Sequence, residues 1–83
     1  MVSFESARAE ILAWVSGTLK VPPEQIDLDK PLDTIGLDSL DAVHMIATIE
    51  TLIGEEVPEE FVRQVQCLND MFALLRRKLP AAA

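Results

Sequence analysis

Cysteine appears once in this chain of 83 residues, at Cys67, so an internal disulfide and a multi-cysteine zinc site are both excluded. Basic residues are scarce as well: seven Lys and Arg against fourteen Asp and Glu, a net charge of −7. Phosphate backbones need clustered Lys and Arg, so nucleic acid is not an expected partner. The one basic run, Arg76-Arg77-Lys78, falls near the end of the last predicted helix, where the negative end of the helix dipole accounts for it. No apolar run approaches the ~20 residues of a membrane span, and none is expected to insert. The opening Met1-Val2-Ser3-Phe4-Glu5 has no basic stretch and no continuous apolar core, which points to a cytoplasmic protein.

What is present is enough to fold. Hydrophobic residues make up 49% of the chain, which argues against disorder. The length fits one domain, residues 1–83, with 80–83 expected to be a disordered tail, and a monomer is expected. A chain this short hides only roughly 60–65% of its unfolded surface, so the core is small.

Periodicity predicts an all-α bundle of four helices, three long and one short, with a long first loop. Ser3 caps a first helix reaching Thr18 or Leu19, with Phe4, Ala7, Ile11, Val15 and Thr18 on one buried stripe and Leu12 and Trp14 beside it. Trp14 reads as a filler of the core or its edge. Pro22-Pro23 ends that helix, since proline lacks a donor and clashes backwards. Residues 21–37 read as a loop with one helical turn at Pro23–Ile26, pinned to the helices by Ile26, Leu28, Leu32, Ile35 and Leu37. Asp38 begins a second long helix that runs to Ile53 and stops at Gly54. A short helix starts at Pro58-Glu59-Glu60-Phe61. The last runs from Leu68 to Leu79, with Leu68, Phe72, Leu75 and Leu79 in one row and Pro80 closing it.

The informative stretch is Leu32-Asp33-Thr34-Ile35-Gly36-Leu37-Asp38-Ser39-Leu40-Asp41. Asp38 suits an N-cap, and Asp41 three positions on suits the acid of a capping box. Taken alone, Asp-Ser-Leu-Asp is a well-capped helix start that needs no cofactor. In context it offers more. Ser39 falls in the first helical turn, where free amides and the positive helix end favour an attached phosphodiester. Gly36 permits the turn that presents it. A catalytic role for Ser39 would require a base and an oxyanion hole. The only histidine, His44, lies about 500° further around a helix turning ~100° per residue, off the serine's face. No Gly-x-Ser-x-Gly elbow surrounds the serine either.

On the second long helix Ala42, Met45, Ile46, Ile49, Leu52 and Ile53 form the core stripe. Leu40, Val43 and Ala47 form another apolar row, bordered by the acids Asp38, Asp41 and Glu50. That row either packs on the preceding loop or serves as a partner-docking strip with an apolar centre and charged rim.

Gly36-Leu37-Asp38-Ser39-Leu40 resembles the Gly-x-Asp-Ser-Leu attachment motif of the acyl carrier protein family, including its fatty-acid-synthase and polyketide-synthase members. Val21-Pro22-Pro23-Glu24-Gln25-Ile26 resembles the family's turn after the first helix, and Gly54-Glu55-Glu56-Val57-Pro58-Glu59-Glu60 its link into the short one. The resemblance covers nearly the whole chain. It implies a carrier rather than an enzyme, with 4′-phosphopantetheine from coenzyme A attached covalently to Ser39 by a phosphopantetheinyl transferase. The arm would hold acyl groups as thioesters for ketosynthases, acyltransferases and other fatty-acid or polyketide enzymes with basic docking patches. Aminoacyl or peptidyl cargo and a cofactor-free helical interaction module are the alternatives. The docking residues it implies are Asp38, Leu40, Asp41, Val43, His44, Ala47 and Glu50. Three departures stand out. His44 occupies a position where fatty-acid carriers usually have an acid, which leaves a plain surface residue or a docking or pH-sensing role open to it. Thr51 and Leu52 follow Glu50 where further acids are common. Cys67 replaces a frequent hydroxyl residue and reads as a small, partly buried filler.

Overall fold

The computed structural model describes residues 2–81, and these form five α-helices and one 3-10 turn, with no strand among them. Helix α1 spans Phe4–Leu19, capped by the Ser3 hydroxyl, which accepts from the Ser6 amide at 3.1 Å. Phe4, Ala7, Ile11 and Val15 are buried as the periodicity predicts, but Thr18 is exposed. In that last turn it is Leu19, not Thr18, that packs against the core. Lys20, in the left-handed region at φ 59°, ends the helix by donating its N–H to the Ser16 carbonyl. Ser16 in turn donates its hydroxyl to the Val21 carbonyl at 2.5 Å, so the exit of the chain is fixed from within the helix.

Pro23–Gln25 is the expected turn, here of 3-10 type. The following segment holds an element that periodicity misses: α2, Leu32–Ile35, a single helical turn ended by Gly36 at φ 106°. The whole segment is pinned as expected. Ile26 and Leu37 are buried, and Leu28, Leu32 and Ile35 pack against the core. Polar pins join them. The Leu32 amide donates to the Gln66 carbonyl at 2.9 Å, the Asn69 amide to the Leu28 carbonyl at 3.1 Å, and Asn69 Nδ2 to Asp29 at 2.6 Å.

Helix α3 spans Ser39–Ile53 and ends on Gly54 at φ 74°, where glycine carries no Cβ penalty. Met45, Ile46, Ile49 and Ile53 face the core, while Ala42 and Leu52 are half-buried at its margin. Helix α4, Glu59–Gln64, is short and has no buried residue. Helix α5, Leu68–Lys78, buries Leu68, Met71, Phe72, Leu74 and Leu75, and Leu79 beyond it is buried too. Its entry is stapled by Asp70, whose Oδ2 accepts from the Gln66 and Cys67 amides at 2.8 and 3.3 Å; Cys67 is half-buried at the N-cap.

The core is the seam where α1, α3 and α5 meet, and no polar side chain among the described residues is buried in it. Arginines close its edge: Arg76 lies 4.2 Å over the Phe4 ring and Arg8 5.1 Å over Phe72. Lys78 pairs with Glu55 at 2.5 Å, so the basic run serves tertiary contacts as well as the helix dipole. At the head of the 80–83 stretch the Pro80 carbonyl accepts from the Phe4 amide at 2.7 Å and satisfies a free donor at the start of α1. Residues 82 and 83 lie outside the described residues. No helix among those described is long and apolar enough to cross a membrane.

Candidate functional site

The start of α3 is built by the two carboxylates that the sequence singles out. Asp38 Oδ1 accepts from the Asp41 amide at 2.9 Å, and Asp41 Oδ2 accepts from the Asp38 amide at 3.0 Å, a reciprocal capping box. Ser39 is therefore the first residue of a 15-residue helix, and it is exposed. The box leaves the amides of Ser39 and Leu40 with no acceptor among the described residues. Two vacant donors at a positive helix end, beside an accessible hydroxyl, suit a phosphate ester on that hydroxyl.

The approach to the serine is equally constrained. Gly36, at φ 106°, turns the chain out of α2, and a Cβ there would stand 3.2 Å from Leu19 Cδ2. Leu37 is 2% exposed and anchors the connection, with its amide donating to the Leu32 carbonyl at 2.9 Å. Ser39 thus projects from a rigid joint between a buried leucine and a capped helix.

A groove of about 350 Å³ opens beside Ser39, between α3 and α4. Val43, Ile46 and Glu50 form one wall, and Val62 and Val65 the other. A larger cavity, about 480 Å³, lies on the far side of α4 toward α5. It shares Val65 as a wall but does not include Ser39, and its lining carries Glu60, Asp70 and Arg77. Adjacency to the serine makes the smaller, more apolar groove the relevant one.

The second apolar row of α3 stays uncovered. Leu40 is 77% exposed and Val43 64%, and Ala47 is exposed beside them, so the preceding loop does not pack on this row. The bordering acids have different surroundings. Asp38 and Asp41 carry the capping box, and Glu50 is half-buried with Oε2 accepting from the Val57 amide at 2.9 Å. His44 is exposed, and its ring stacks on Trp14 of α1 at 4.4 Å between centroids and 21° between planes. Sequence reasoning missed three contributors here. Val62 and Val65 supply the far wall of the groove, and Trp14 backs the histidine. An exposed valine in an acidic helix was a signal for Val62; nothing local marks the Trp14–His44 pair, which depends on how α1 crosses α3.

Comparison with known proteins agrees with this geometry. Residues 9–75 match the family model described as a phosphopantetheine attachment site. A protein of Thermosynechococcus vestitus called acyl carrier protein is 27% identical over 73 residues, covering 87% of this chain and 90% of its own length. Another of that name, from Thermotoga maritima, is 26% identical over 80 residues, covering 95% of this chain and 99% of its own. With the attachment-site model spanning most of the sequence and an all-helical fold around a capped serine, the chain belongs to the acyl carrier protein family, whose prosthetic group is phosphopantetheine.

Proposed function

We propose that Ser39 is the attachment point of 4′-phosphopantetheine and that the chain delivers acyl groups to fatty-acid or polyketide enzymes. One observation carries this reading: Ser39 is an accessible hydroxyl on the first residue of α3, beside two amides with no acceptor of their own. The helix end and those amides would stabilise the negative phosphodiester, by about 0.3–1 kcal/mol for a charge at an exposed helix terminus. When bound, the arm supplies a thiol that holds acyl groups as thioesters. The chain's own residues position it. Asp38 and Asp41 keep the first turn of α3 from fraying, Gly36 and Leu37 fix where that turn starts, and the apolar walls of the adjacent groove offer cover from water to whatever the serine bears.

The chain's role as a carrier lies in tethering, which raises the effective concentration of cargo at a docked enzyme. Leu40, Val43 and Ala47 form the apolar centre of the surface that a phosphopantetheinyl transferase, ketosynthase or acyltransferase would meet. Asp38 and Asp41 sit at its serine end, the place where a basic docking patch would find complementary charge. His44 and Glu50 sit at its margins.

Co-expression with a broad-specificity phosphopantetheinyl transferase tests the assignment. Intact mass should rise by one phosphopantetheinyl group in the wild type and not at all in Ser39→Ala. An unmodified wild type, or a modified Ser39→Ala, would overturn it.

A further inference from the structure

Pins hold the chain on either side of α4, and little holds α4 itself. Before it, the Val57 amide donates to Glu50 Oε2 at 2.9 Å. After it, the Gln66 amide donates to Asp70 Oδ2 at 2.8 Å, and the Gln66 carbonyl accepts from the Leu32 amide at 2.9 Å. Between those pins the backbone bonds of α4 run within the helix and to the Pro58 carbonyl, and Arg63 pairs with Glu59 one turn away. None of its six residues is buried. Phe61 and Val65 reach the core only in part, and Val62 is 39% exposed. An element with so little buried contact sits at the low-stability end of a fold and opens before the rest.

Space lies on both sides of it. Toward α3 is the groove of about 350 Å³ beside Ser39, walled by Val62 and Val65. Toward α5 is the cavity of about 480 Å³, lined by Phe61, Val65, Ala73 and Leu74. Val65 borders both, where the pivot of a moving wall would stand. It and Pro58 cap the helix in extended conformation, at ψ 128° and 142°, and such terminal positions absorb the rotation of a hinge. A shift of α4 toward α5 carries Phe61 over the buried Leu74, so apolar contact given up on one face is regained on the other. Ala73 keeps that space open: it is exposed on α5, and its side chain is one methyl group.

We infer that α4 is a hinged strap that recoils toward α5 when a wide acyl group occupies the groove beside Ser39, and that Ala73 sets how wide a group the groove admits. Ala73 touches no cargo. It is a positioning residue that acts through α4, because a large side chain there fills the space into which α4 moves. Straight acyl groups fit the groove without recoil, whereas branched and ring-bearing ones require it. The device rests on the carrier reading and concerns which cargo is covered from water.

Two thioesters of similar reach and different width, butyryl and phenylacetyl, provide the test. A broad-specificity transferase loads each from its coenzyme A thioester onto Ser39, and intact mass confirms the loading. Cleavage by hydroxylamine is then timed, and each rate is compared with that of the same acyl group on free pantetheine. Wild type should protect both. Ala73→Trp should protect butyryl as wild type does but protect phenylacetyl about threefold less, as the seated population falls. Ala73→Ser adds too little bulk to fill the cavity and should match wild type with both. In wild type, the nuclear magnetic resonance signals of Phe61 and Leu74, which line the cavity and not the groove, should shift on phenylacetyl loading and stay in place on butyryl loading. If Ala73→Trp does not fold, Ala73→Leu takes its place. Equal loss with both cargoes, no loss with either, or an unprotected thioester in the wild type overturns the recoil. Those results leave the carrier reading standing, because Ser39 would still gain its group by intact mass. Absence of that mass gain would sink both.

Discussion

Glu50 separates a docking role from a structural one, because its position is compatible with both. It lines the groove beside Ser39, yet its Oε2 accepts from the Val57 amide at 2.9 Å, tying α3 to the link that leads into α4. Val57 is 8% exposed, so an unpaired amide there would be poorly hydrated. Glu50→Ala deletes the acceptor and leaves that donor orphaned, which costs about 1–3 kcal/mol. Glu50 is itself only half-buried, and water can partly replace it, so we expect the lower half of that range, about 1–2 kcal/mol. At roughly 4–8 °C per kcal/mol for a domain of this size, Tm should fall by about 4–16 °C. Glu50→Gln keeps an amide oxygen in place and loses only the charge, so its loss should be under about 1 kcal/mol. Urea denaturation followed by circular dichroism measures both, alongside the KM for transferase loading. If Glu50→Ala leaves the midpoint unchanged and raises only KM, Glu50 is a docking residue and the structural argument fails. If Gln and Ala are equally destabilised, the bond to Val57 is not what is being lost.

Gly36→Ala should destabilise by about 1–2 kcal/mol, because an L-residue is strained at φ 106° and its Cβ would press on Leu19 Cδ2; an unchanged thermal midpoint would contradict this. Val43→Asp should leave stability within about 0.5 kcal/mol, since the side chain is 64% exposed. The same change should slow loading of Ser39 about tenfold by removing an apolar contact and adding charge at the centre of the strip; loading at the wild-type rate would remove that strip from the docking surface.

What could be read from the sequence follows the range of the interactions involved. The capping box needs only Asp38 and Asp41 three positions apart, so the start of α3 and the place of Ser39 were legible. Pro22-Pro23 and Gly54 mark helix ends by their own backbone chemistry. The loop's pinning was legible in kind, from five spaced apolar residues, but not in detail. Helix α2 was not, because four residues carry no periodicity. Its start is tied across the fold, by Leu32 bonding to Gln66, and the Leu37 amide closes back on the Leu32 carbonyl. The left-handed Lys20 was equally hidden, since that conformation is usually glycine's or asparagine's. Glu50 read as a rim acid because Val57, seven residues away in an irregular link, gives no signal of the bond between them.

The division of labour along α3 follows from which of its groups the fold consumes. Core burial takes Met45, Ile46, Ile49 and Ile53, and backbone amides take Asp38, Asp41 and Glu50. What the fold leaves unused is Ser39, its amide and that of Leu40, the Leu40–Val43–Ala47 row, and the edge of His44. A large apolar side chain held at 77% exposure contributes little to folding. A site made of the residues that folding does not need can vary without loss of the bundle, whereas the capping acids cannot be exchanged so freely. Under the proposed carrier function, changes along the exposed strip would alter partner choice without unfolding the bundle, while the position of Ser39 stays fixed by Gly36, Leu37 and the capping box.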